Sequence, residues 1–79
     1  MKFFKAGEHI VTLENVKEIE IKPYSTRNDY RIEITYWNTT PSGIFATNQI
    51  GAISYDTATK WLKEMFNILL EKEKENKND

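Results

Sequence analysis

Three groups of side chains in this 79-residue chain are of types that could do chemistry: His9 beside Glu8, the pair Glu18 and Glu20, and the Trp37 neighbourhood. His9 is the only histidine, and no Asp or Glu other than Glu8 stands at ligand spacing from it, so no metal site is expected. A serine triad would need a base and a nucleophile elbow. One histidine without such a turn does not supply them. Gly7, Gly43 and Gly51 lie too far apart for a phosphate-cradling loop. Glu18 and Glu20, two apart on a strand, would share a face at about 6.6 Å. With Lys17 and Lys22 beside them they read as a solvated surface and not as an acid–base pair. A domain this small also has trouble enclosing a pocket of several hundred Å³. The expectation is no catalytic residue, no cofactor and no enzyme.

Charge narrows the partners. The net charge is −1. Residues 1–53 carry six basic and six acidic side chains, and residues 54–79 carry five and six. No field favours nucleic acid or an anionic membrane. Only two of the eleven basic residues are arginine, which weakens a phosphate-recognition reading further. There is no cysteine, and neither a signal peptide nor a long apolar run is legible, so a cytoplasmic protein is expected.

The strands come first in the chain. Lys2–Ala6 reads as a short strand with Phe3 and Phe4 on opposite faces, one of them in the core. Gly7–Glu8 is a turn, and His9–Leu13 a second strand in which His9, Val11 and Leu13 outnumber Ile10 and Thr12 as the inward set. Glu14–Asn15 turns the chain again. Val16–Lys22 alternates, Ile19 and Ile21 inward against Glu18, Glu20 and Lys22 outward. Pro23 ends the ladder, and residues 25–29 form a polar loop containing Arg27. Tyr30–Trp37 sets Tyr30, Ile32, Ile34 and Tyr36 on one face and Arg31, Glu33, Thr35 and Trp37 on the other. Asn38–Gly43 is a hairpin loop. Ile44–Thr47 returns, and Ile50–Ile53 either continues that strand or forms another, with Gly51 suited to a bulge.

Ser54–Leu70 is the helix around which these strands are arranged, capped by Ser54 or Asp56. At about 100° per residue, Ala58, Trp61, Leu62, Met65 and Leu69 form one stripe. Phe66, Ile68 and Leu70 widen the apolar arc to about 200°, beyond the roughly 100° that one docked face uses. Phe66 and Leu70 therefore either cover the sheet edge and helix end or make an oligomer contact. Residues 1–70 are expected to form a single domain, and residues 71–79 a charged tail that extends the helix or frays. The fold class is α+β: a four- or five-stranded antiparallel meander with one C-terminal helix packed on one face.

The opening FKAGEHIVTLENVKEIEI and the closing ISYDTATKWLKEM resemble small proteins of low-GC Gram-positive bacteria and their phages. The sheet-then-helix order is similar to a pared-down pleckstrin-homology-like module, without room for a seven-stranded barrel. The resemblance covers about residues 3–69 and transfers no catalytic or binding residue.

The first functional expectation is a non-enzymatic protein-binding module, with Trp37, Arg31 and Phe45 as the partner face because Trp and Arg dominate interface hot spots. An inhibitor of a host defence system, encoded by a phage or mobile element and acting by occupying a surface, is one concrete form. Against a partner face for Trp37 stands a local role, capping the hairpin on Pro41 or Phe45. Single-stranded nucleic-acid binding on the open sheet face is a second reading: Phe3 or Phe4, Trp37 and Phe45 would stack bases while Lys5, Arg27 and Arg31 meet phosphates. Glu18, Glu20 and Glu33 oppose it. Small-ligand sequestration by a homodimer is a third.

Overall fold

The computed structural model describes residues 2–24 and 28–77. Five antiparallel strands and one helix follow in chain order: β1 (Phe3–Ala6), β2 (His9–Thr12), β3 (Val16–Pro23), β4 (Tyr30–Thr39), β5 (Phe45–Ile53) and α1 (Tyr55–Lys77). The α+β class and the C-terminal helix are those expected. The meander divides after β2, giving a two-stranded sheet β1-β2 and a three-stranded sheet β3-β4-β5.

Period-two patterning decides which side chains enter the core. In β1, Phe4 and Ala6 are buried while Phe3 is exposed. In β2, Val11 is buried, as is Leu13 just beyond it, whereas His9 and Ile10 are exposed. Ile32, Ile34 and Tyr36 of β4 are buried opposite Ile21, Ile19 and Val16 of β3. Ile50 of β5, opposite Ile32, completes this inner face. β5 runs unbroken through Asn48–Gln49, and its register against β4 shifts between the Tyr30↔Ile53 and Arg31↔Gly51 pairs. The Gly51–Ala52 peptide bond is cis.

Helix α1 crosses β3 and β4 on the inner face. Ser54 caps it: its Oγ accepts from the Thr57 N–H at 3.1 Å, and its carbonyl from the Ala58 N–H at 2.9 Å. Asp56 sits in the first turn, where its charge meets the positive end of the helix dipole. Ala58 and Met65 are fully buried, and Trp61, Ile68 and Leu69 pack against the core. Phe66 and Leu70 stay exposed. The helix continues through the charged segment to Lys77.

Two aromatic contacts tie these layers together. Trp61 meets Phe4 edge-on at 6.1 Å, fastening the β1-β2 hairpin to the helix. Tyr55 meets Tyr30 at 5.1 Å, fastening the helix start to β4. The Tyr36 hydroxyl donates to the Thr12 carbonyl at 2.8 Å, joining the small sheet to the large one. Burial pushes the Tyr36 phenol above its ordinary value, since the charged form would lose hydration.

Candidate functional site

The face of the three-stranded sheet turned away from α1 carries the candidate site. Glu18, Glu20, Trp37, Phe45, Thr47 and Gln49 are all exposed on it. It has two ends with different chemistry.

At one end two irregularities meet. The β3–β4 register shifts between Val16↔Tyr36 and Glu18↔Thr35, so Lys17 is an extra residue in β3. The β4–β5 register shifts between Thr35↔Thr47 and Thr39↔Phe45, which leaves extra residues in β4 around Trp37. A bulge breaks strict alternation and re-aims the side chains it carries. Here the two bulges turn Lys17 and Trp37 toward Phe45. The Trp37 and Phe45 rings meet at 5.9 Å and 88°, an edge-to-face pair. Lys17 Nζ stands 5.4 Å from the Trp37 ring centre and 5.3 Å from that of Phe45. Backbone bonds pin the corner from both sides. The Trp37 N–H donates to the Asn15 carbonyl at 2.8 Å, where Asn15 takes a left-handed conformation with φ 59°. The hairpin loop closes through Thr40 N–H to the Ile44 carbonyl (2.7 Å) and Gly43 N–H to the Thr40 carbonyl (2.8 Å). Gly43, at φ +86°, occupies a conformation that side chains disfavour.

Of the two roles the sequence allowed Trp37, the structure shows the local one. It packs on Phe45, and it remains 60% exposed, a large indole held in place in solvent.

At the other end, Lys22 Nζ lies 2.7 Å from Glu33 Oε1 and 3.9 Å from Glu20 Oε1. Gln49 Nε2 donates to Glu33 Oε2 at 3.2 Å. The hydrogen bond and charge of Lys22 hold the Glu33 carboxyl below its usual range, and the same bond raises the Lys22 ammonium. Arg31 donates from Nη1 to the Pro23 carbonyl, and its Cβ, like the Tyr24 ring, lies close to Gly51. Trp37 lies six positions beyond Arg31 along β4, roughly 20 Å at about 3.3 Å per step.

Trp37 and Phe45 therefore come together as one patch, and Arg31 belongs to a separate polar end of the same face. Lys17 is the site residue that alternation did not predict. Phe66 and Leu70, the candidate oligomer contacts, lie on the helix, away from this patch. Arg27 lies outside the described residues. The described residues hold no cluster of three or more His, Cys, Asp or Glu able to grip a metal ion. No helix among them is long and apolar enough to cross a membrane.

Comparison with protein-family models, with curated protein sequences and with solved structures finds no match to this chain.

Proposed function

We propose that this chain is a non-enzymatic protein-binding module that docks through the Trp37–Phe45–Lys17 corner. One observation carries the reading: two bulges and three backbone hydrogen bonds hold a half-exposed aromatic pair where packing of the core does not require it. A pre-positioned indole loses little conformational freedom on binding, which is why Trp anchors dominate interface energetics. Lys17 has no ion pair among the described residues, so the fitting partner offers a carboxylate beside an apolar pocket. Blocking a surface of another protein, as an inhibitor of a host system encoded by a mobile element would, is the mode of action such a corner supports.

The nucleic-acid reading is weaker. Glu18, Glu20 and Glu33 share the face with Lys17, Lys22 and Arg31, and Lys22 is already engaged by Glu33. A strand of phosphates would meet no net positive track.

The test is affinity capture from the producing cell with wild type, Trp37→Ala and Lys17→Glu as baits. A captured protein is then purified and titrated against all three. Loss of that protein by both variants, with their thermal melts unchanged, is the expected result. Equal binding by all three removes the corner from consideration. Oligonucleotide binding that weakens steeply with salt would favour the nucleic-acid reading instead.

A further inference from the structure

The two outer edges of the three-stranded sheet are built differently. An edge strand presents unpaired N–H and C=O groups, and proteins ordinarily protect it with charge, proline or cover. The β3 edge is protected in this way: Lys17, Glu18, Glu20 and Lys22 line it and Pro23 ends it. Pairing β3 with a second β3 about its middle residue, Ile19, would set Glu18 against Glu20 of the other copy.

Among the described residues the β5 edge has none of these devices. From Ile34 to Tyr55 the chain carries no charged residue, and β5 itself, FATNQIGAI, holds no proline. It is the last strand of its sheet, it is mostly exposed, and helix α1 lies across β3 and β4 instead of over it. One local bond is given up on pairing there: the Gln49 N–H is held by the side chain of its own neighbour, Asn48 Oδ1, at 3.0 Å.

We infer that β5 pairs antiparallel with β5 of a second copy of this chain, joining two sheets into one of order β3-β4-β5-β5-β4-β3. The occupant is argued from complementarity. A two-fold register centred on Asn48 uses the stretch before the irregularity at Gly51. It sets Ala46 opposite Ile50 of the second copy on the inner face and Thr47 opposite Gln49 on the outer, with no charge facing a like charge. The two-fold axis stands perpendicular to the sheet, so both helices fall on one side and both Trp37–Phe45 corners on the other. Isologous pairing of this kind closes at two copies, because each β5 edge is consumed. An interface of one strand and its flanks lies at the small end of specific interfaces, so the dimer dissociates on dilution.

Sedimentation velocity between about 1 µM and 1 mM, the range over which a weak dimer titrates, tests this with the full chain. Wild type is expected to move from monomer to dimer mass as concentration rises. The double variant Thr47→Lys, Gln49→Lys puts charges on the edge and is expected to stay monomeric, with an unchanged melt showing that it folds. Phe66→Glu with Leu70→Glu is expected to leave the dimer intact. Hydrogen exchange of wild type gives a readout without substitution, with β5 amides more protected at high concentration. A wild type that is monomeric throughout overturns the inference. So does a dimer that survives the edge lysines, one abolished by the helix variant, or β5 exchange that does not respond to concentration.

Discussion

Tyr36 joins two sheets through one hydrogen bond, and its removal can be read directly. Tyr36→Phe keeps the ring and deletes the donor to the Thr12 carbonyl. A bond of this kind contributes about 1 kcal/mol, which for a domain of this size lowers Tm by roughly 4–8 °C. A melt unchanged within error would show that the hairpin is held by packing alone. Glu33 gives the pH counterpart. Its folded pKa is lowered by Lys22, so its contribution is present above the unfolded carboxyl value, about 4.3, and is lost as pH falls through the lower folded value. Tm measured from neutral to acid pH should therefore fall more steeply in wild type than in Glu33→Gln, the two curves converging below that range. Parallel curves would contradict the pairing. At the alkaline end, Lys22 and Tyr36 both have raised values, so the contribution of these two groups is full below about pH 10 and is lost as pH rises above it. Gly51 is the third residue-scale case. A Cβ there would lie 2.9 Å from Arg31 Cβ and 3.0 Å from the Tyr24 ring. Gly51→Ala should cost about 1 kcal/mol or more by overpacking, measurable as a shifted denaturation midpoint.

The helix divides by exposure into residues that hold the fold and residues that do not. Met65 is fully buried against the sheet, while Phe66 beside it is 44% exposed. Met65→Ala should cost about 2–5 kcal/mol. Phe66→Ala should stay within about 0.5 kcal/mol in the monomer, as surface changes do. Chemical denaturation of both variants checks this, and equal losses would mean that the helix packs in a different rotation. Much of this level was legible in the sequence. Ala58, Trp61, Met65 and Leu69 recur at helical spacing, although Leu62, counted in the same stripe, is not among the residues packed on the core; Ile32, Ile34 and Tyr36 alternate with Arg31, Glu33 and Thr35, because burial on one side imposes the period. The same rule puts Val11 and Leu13 inward against Ile10, but it fails at His9, counted inward and exposed at the start of β2, and it could not say which of Phe3 and Phe4 enters the core. The Lys17 position was not legible. A bulge adds a residue without leaving a local composition signal, so parity counted through Val16–Lys22 could not say which ring Lys17 would meet. Nor did alternation announce the division into two sheets, since Glu14–Asn15 reads as one more turn of a meander.

At the scale of the whole molecule, a chain of 79 residues buries only about 60% of its unfolded surface and has little stability to spare. The inner face spends its apolar side chains on the helix and the hairpin. The outer face keeps a split character, with an aromatic corner at Trp37 and Phe45 and an ion-paired end at Lys22 and Glu33. That split is why Arg31, placed beside Trp37 by strand parity, takes no part in the same patch: parity fixes the face but not the distance along it. The charged carboxyl-terminal stretch carries the helix to Lys77. The proposed docking corner lies outside the core, so affinity and stability should respond to different substitutions.

The most direct measurement is the dissociation constant of the captured partner for wild type and for Trp37→Ala, taken alongside their melts. A hot-spot indole is worth about 2 kcal/mol or more, so binding should weaken by roughly 30-fold or more while Tm stays the same. An unchanged dissociation constant, or a loss of binding that merely follows a loss of folding, would contradict the account.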